Sequence, residues 1–217
     1  WPPEGRTLAT GHGSLASRLR PSGAIRLWDV STGKLLKTFP MHPAGISSLA
    51  FCLDGGQLIS GHVAVRHKTG VKKGEVLVWD VKSGAVIKKL SAPDTITISS
   101  VACSPNGKWI AATDTNGRLT LWDRQSYRVI YSSKSGRTRE LAAVAFAPDG
   151  RTLAVSDQVK TVTLYHLPSM EKLFALQSTC RNILTTRFSK DGNLLLVGGL
   201  GGSENGKAEV WRGPRDQ

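Results

Sequence analysis

The side chains of this 217-residue chain that could do chemistry are few and poorly placed for it. General acid–base catalysis needs titratable groups converging within hydrogen-bond reach. Four similar apolar runs, ISSLAF (46–51), ISSVAC (98–103), LAAVAF (141–146) and ILTTRF (183–188), carry Ser, Thr, Ala and Arg187 but no carboxylate and no histidine. His62 and His67 share a loop without metal-ligand spacing, and no third ligand accompanies them. Cys52, Cys103 and Cys180 are odd in number and lack zinc-like spacing, which argues against a disulfide framework or a metal site. Cys52 and Cys103 read as small buried hydrophobes. The GGLGGSENG run at 198–206 does not open a helix, so it is a flexible loop and not a nucleotide-binding fingerprint. No catalysis, cofactor or metal is expected. What remains is charge: 29 Lys and Arg against 16 Asp and Glu give a net +13.

The elements that carry these residues repeat. GAIRLWDVSTGKLLKTF (23–39) returns as GEVLVWDVKSGAVIKKL (74–90), as GRLTLWDRQSYRVIYSS (117–133), and in worn form as KTVTLYHLPSMEKLFAL (160–176). The chain ends within a fifth copy, GKAEVWRG. The aromatic anchors Trp28, Trp79, Trp122, Tyr165 and Trp211 are 51, 43, 43 and 46 residues apart. A period of about 40–45 residues is that of a four-stranded propeller blade. A second phrase interleaves with the first: two apolar runs flank Asp54-Gly55, Asn106-Gly107, Asp149-Gly150 and Asp191-Gly192. These pairs predict two-residue hairpins with both central residues at positive φ. Each unit therefore reads strand a, turn, strand b, loop, strand c, turn, strand d. No segment sustains a 3.6-residue apolar period, so almost no helix is expected.

The chain resembles a WD-repeat β-propeller. Trp28-Asp29, Trp79-Asp80 and Trp122-Asp123, in phase with the SPNG, APDG and SKDG hairpins, carry the match over essentially the whole length. The resemblance implies an all-β propeller of four-stranded antiparallel blades. Five blade units are expected, at about 1–40, 41–91, 92–134, 135–177 and 178–217, with the first and last incomplete. Eighteen strands are expected where five whole blades need about twenty. The family also implies a hydrogen-bonded network of a strand c Trp, a strand b Ser, a His before strand a and an Asp in the b–c turn. The second unit has Trp79, Ser60 and His42, but an insertion replaces its b–c turn. The third has Ala112 and Asn116, and the fourth Val155 and Tyr165. Trp28, Asp29, His42, Ser60, Trp79, Asp80, Trp122, Asp123 and Trp211 are accordingly structural. Both ends of the chain fall inside a unit, so the sequence looks like a piece of a longer protein that supplies the remaining blades. Its Pro-Asp-Gly hairpins resemble bacterial WD-repeat arrays, which are often fused to kinase, transcription-factor or cytochrome domains. No apolar run approaches a membrane span, and a cytoplasmic location is expected.

Function should lie where the copies disagree. From Thr10, Ser60, Ala112, Val155 and Val197 to the strand c aromatic, the spans are 18, 19, 10, 10 and 14 residues. The first two units thus carry insertions. GHGSLASRLRPSG (11–23) holds Arg18 and Arg20, and HVAVRHKTGVKKG (62–74) holds Arg66, His67, Lys68, Lys72 and Lys73, with no acid in either. In the family, b–c and d–a loops share one face, so Arg137 and Arg139 of SKSGRTRE join them. Loops on a rigid scaffold concentrate binding residues, and clustered like charge attracts acidic partners. The expected function is a non-catalytic scaffold that binds a protein or peptide, as the interaction module of a larger regulator. The alternative is a basic platform for nucleic acid or another polyanion. Against it, neither insertion has an aromatic residue on which bases could stack.

Overall fold

The computed structural model describes residues 5–13, 23–52, 54–67, 70–90, 96–134, 140–201 and 205–213. It is all-β, with twenty strands and no helix among the described residues. Five antiparallel sheets follow one another along the chain, of three, four, four, four and three strands, and a separate two-stranded hairpin accompanies them. Apart from that hairpin, the eighteen expected blade strands are present, and the first and last sheets have three each.

The chain divides into two compact units, residues 1–103 and 104–217. In the first, β1 (Thr7–His12), β2 (Ala24–Asp29) and β3 (Leu35–Thr38) form one sheet in that order. The next has the order β4-β5-β8-β9, built from β4 (Ile46–Phe51), β5 (Gln57–His62), β8 (Val76–Asp80) and β9 (Val86–Leu90). Between β5 and β8 stands the hairpin of β6 (Val65–His67) and β7 (Gly70–Lys72). β10 (Ile98–Cys103) ends the unit. The second unit holds β11 (Trp109–Asp114), β12 (Arg118–Asp123) and β13 (Val129–Lys134), paired consecutively. The sheet β14-β15-β16-β17 follows (Leu141–Phe146, Thr152–Asp157, Thr161–His166, Lys172–Gln177). Last comes β18-β19-β20 (Arg181–Phe188, Leu194–Leu200, Gly206–Arg212).

Inner strands are buried on both faces because sheet stacks on sheet. In the first unit Ile25, Leu27 and Phe39 of one sheet pack on Leu58, Leu77 and Trp79 of the next. In the second, Ala154, Val162 and Leu164 meet Cys180, Ile183, Leu195 and Val197. The strand d edges are open instead, and Leu36 and Phe174 are more than half exposed, at 56% and 51%.

Two turn families set this pattern. The hairpins between strands a and b are not two-residue turns. Cys52, Ser104, Ala147 and Ser189 each pair across a four-residue loop with Gln57, Trp109, Thr152 and Leu194. Only the glycines Gly55, Gly107, Gly150 and Gly192 have positive φ. The Asp or Asn before each glycine stays right-handed and its side-chain oxygen accepts a backbone N–H two residues on. A type I turn closed by a left-handed glycine meets this geometry, and the Asp-Gly pair serves it as well as the primed turn expected. At the c–d turns the left-handed position is Gly33, Gly84, Tyr127 and Met170 in successive copies. A β-bulge falls at the aromatic anchor each time, at Trp28, Trp79, Trp122 and Tyr165.

The cysteines depart from the reading of the sequence. Cys52 and Cys103 form a disulfide with Cα atoms 5.2 Å apart, whereas Cys180 is free and buried. The bond ties the end of β4 to the end of β10, strands a of neighbouring copies. Cys52 aligns with Ser104 and not with Cys103, so the pair is offset by one position between copies and sequence comparison does not couple them.

Candidate interaction site

The Trp-Asp pairs divide their work. Asp29, Asp80 and Asp123 accept hydrogen bonds from the hydroxyl and backbone N–H groups of the turn that follows. The donors are Ser31 and Thr32, then Ser83, then Ser126. Those side-chain hydroxyls first, and the turn amides with them, hold all three carboxyls below the usual aspartate range. The indoles reach sideways within the sheet. Trp28 Nε1 donates to Thr10 Oγ1 at 2.8 Å, and Trp79 Nε1 donates to Ser60 Oγ at 2.7 Å. Trp79 is 2% exposed, and the ring of Phe39 lies 5.6 Å from it. Trp122 is also buried, whereas Trp211 is half-buried against the core of the last two sheets.

Above Trp79 the side chains come together in an arrangement the sequence did not announce. Ser60 Oγ lies 2.8 Å from His62 Nε2. His62 is not in a loop: it ends β5 and is fully buried. The ring of His42 lies against it, centroids 3.9 Å apart. His42 Nδ1 accepts the Ala44 N–H, and its Nε2 faces Glu75 Oε2 at 3.4 Å. Lys89 closes the chain by pairing with the other Glu75 oxygen. Burial pushes the Glu75 carboxyl up, but the hydrogen bond and charge of Lys89, with His42 behind, prevail and leave it low. So His62, and not His42, bonds to Ser60, and Glu75 supplies the carboxylate missing from the b–c turn.

Alignment of the β strands shows why. His62 occupies the position of Asp114 and Asp157, which end β11 and β15. Asp114 accepts the amides of Asn116 and Arg118, and Asp157 those of Val159, Lys160 and Thr161, which makes the b–c turn tight. A histidine there turns inward to Ser60 and leaves the following backbone free to depart as an insertion. Both long-loop copies end strand b in a Gly-His pair, at 11–12 and 61–62, but His12 is exposed and His62 alone of the two is buried against a strand b hydroxyl.

Burial, then the neighbouring His42, lowers the His62 pKa from 6.5 to about 4. The unfolded chain therefore binds more protons than the folded one between these values, and stability falls as pH drops from 6.5 toward 4. The span corresponds to about 3 kcal/mol at most. We expect denaturant midpoints to fall over this window in the parent and to flatten in His62→Gln. Parallel pH profiles for the two proteins would show that other groups set the acid limb.

The two insertions begin side by side. Val63 N–H donates to the Gly45 carbonyl at 3.0 Å. The carbonyl of Gly13 comes within 3.6 Å of where a Gly45 Cβ would stand. A bridge between Gly23 and His42 closes the far end of the first insertion. Within the second, β6 and β7 pair Val65 with Lys72, Arg66 with Val71 and His67 with Gly70, so a segment expected to be loop is a hairpin. The backbones of Arg66, His67 and Lys72 are on it, and Lys73 is exposed just beyond. Arg18, Arg20, Lys68, Arg137 and Arg139, and the side chains of Arg66, His67 and Lys72, lie outside the described residues.

Residues 62–212 match the family model of the NWD2 C-terminal β-propeller. Residues 33–80 match that of the WD domain, G-beta repeat. Among curated relatives, the periodic tryptophan protein 2 homolog of Schizosaccharomyces pombe is 33% identical over 96 residues, 44% of this chain and 10% of that protein. The human WD repeat and SOCS box-containing protein 1 is 31% identical over 91 residues, 42% of this chain and 20% of that protein. The chain thus matches only a small part of either relative's length.

Proposed function

We propose that this chain, which belongs to the NWD2 C-terminal β-propeller family, is a non-catalytic scaffold that binds an acidic protein or peptide through its b–c insertions. One observation carries the reading: the two long basic insertions leave the fold next to each other at Gly45. The second insertion is stiffened by the β6–β7 hairpin, which lowers the entropy lost when it is held by a partner. A relative whose name joins WD repeats to a SOCS box supports the further reading of an interaction module within a multidomain regulator. We place the chain in the cytoplasm, a compartment in which lasting disulfides are rare. No helix among the described residues is long and apolar enough to cross a membrane.

Six cations at these insertions raise the encounter rate with an acidic surface more than the lifetime of the complex. Each exposed pair alone is worth about 0–1 kcal/mol. Replacing Arg18, Arg20, Arg66, Lys68, Lys72 and Lys73 by Ser is expected to slow association with an acidic peptide. Raising salt from about 0.1 M to 1 M, which shortens the screening length from roughly 10 Å to 3 Å, should do the same to the parent. A variant changed only at Lys34 and Lys82, in the c–d turns, should bind normally. A larger loss from that variant would place the partner at the opposite end of the strands. The second reading, a polyanion platform, rests on the net charge of +13. Tight, strongly salt-dependent binding to single-stranded DNA with no binding to the acidic peptide would favour it.

A further inference from the structure

The copies differ at one sheet junction in a way that opens a small polar pocket. Where two sheets meet in the first unit, Phe39 at the end of strand d packs on Trp79 of the next strand c, and Ser60 takes the indole N–H. The register of the c–d pairs puts Leu90, Ser133 and Leu176 at the position of Phe39. Tyr165 stands in place of Trp79, and Val155 in place of Ser60. At the junction of β13 with the β14–β17 sheet, then, all three members of the packed set have changed together: Phe to Ser133, Trp to Tyr165, Ser to Val155.

The result is a cavity of about 200 Å³ lined by Ser133, Val155, Asp157, Thr161, Thr163 and Tyr165, with Leu119 and Leu141 beside them. It sits toward the b–c and d–a ends of its strands, the same ends from which the insertions of the first unit leave. Volumes near 30 Å³ per water would let it hold several, and it is smaller than pockets for drug-sized ligands. It fits one side chain. Its lining has four hydroxyl groups and no cation. The one anion, Asp157, spends Oδ1 on three turn amides. Burial, with Tyr131 nearby, raises the Tyr165 pKa, so the phenol keeps its proton and can donate as well as accept.

We infer that this pocket receives an uncharged carboxamide side chain, Asn or Gln, of a bound peptide. Hydroxyls both donate and accept, which matches a carboxamide at both of its ends. An ammonium would have to compete with three turn amides for the single carboxylate, Asp157, and a carboxylate would find no cation. The assignment rests on the peptide-scaffold reading, but it adds that specificity comes from a sheet junction and not only from basic loops.

The test uses the full chain and three probes: the N-acetyl, N-methylamide derivatives of glutamine, glutamate and lysine. Methyl NMR signals of Val155, Leu119 and Leu141 report occupancy. The glutamine probe is expected to shift them at concentrations about tenfold below either charged probe. Ser133→Phe with Tyr165→Trp refills the cavity as in the first unit and should abolish the shifts. Thr163→Val, which removes a hydroxyl at nearly constant volume, should weaken them even if the larger pair disturbs folding. Equal shifts from all three probes, or none from any, would leave the pocket to water and overturn the proposal. Because the probes carry no acidic patch, their result stands apart from that of the insertion variant: unchanged acidic-peptide binding in that variant with retained glutamine selectivity would sink only the basic-loop reading.

Discussion

Trp79→Ala is expected to cost about 3–5 kcal/mol of stability. The indole is 2% exposed, lies against Phe39 across the sheet junction, and gives its N–H to Ser60. Truncation removes the apolar area, leaves a cavity between two rigid sheets, and takes from the buried Ser60 hydroxyl one of its two partners, leaving His62. Asp80→Ala removes only an exposed turn cap, held by Ser83, and should cost far less than the loss of Trp79. Ser60→Ala falls between, since it leaves a buried indole N–H without its acceptor. Urea unfolding of the four proteins followed by tryptophan fluorescence and circular dichroism gives the order. Equal losses at Trp79 and Asp80 would mean that the indole does not fill the junction.

Reduction should cost nearly as much. The Cys52–Cys103 bond closes a sequence separation of 51 residues. For a loop of that length, the chain-entropy treatment gives about 4 kcal/mol of stabilisation through the unfolded state, with engineered and natural bonds commonly at 2–4 kcal/mol. The denaturant midpoint of the parent should therefore fall on adding a phosphine reductant. A Cys52→Ser, Cys103→Ser double variant should start at the lower value and not respond. Cys180 is buried and alone, so it provides no competing pair. A parent whose midpoint ignores the reductant while the double variant matches it would show that the bond does not form in solution.

The blade strands were legible because the strands b and c in the middle of each four-stranded sheet are largely buried, and such strands write their apolar run, turn and aromatic anchor at a fixed period. The five sheets, and the three-stranded first and last ones, follow from that text. What stayed hidden depends on contacts between copies. Cys52 and Cys103 meet only when neighbouring strands a lie side by side with a one-position offset. His62 looked like the first residue of a loop, because the turn carboxylate that marks the end of strand b in Asp114 and Asp157 is absent there. The β6–β7 hairpin is three residues per strand with few strong strand formers, so its pairing owes more to the closure of the insertion than to local preference. The a–b turns were placed correctly and typed wrongly, since Asp-Gly suits two loop lengths equally well. Of the proposed binding residues, the sequence supplied the charges, and the fold supplied the meeting of the two insertion bases at Gly45.

The residue that ends strand b has a consequence for how such arrays change by descent. Asp157 holds three amides of its turn, and a longer loop in that copy would have to leave them unpaired. His62 has no such obligation, because its ring is bonded back into the sheet through Ser60. A copy is thus closed to insertions while it keeps the carboxylate: the two that carry it, at Asp114 and Asp157, have the shortest b–c spans, and added length stands only in copies without it.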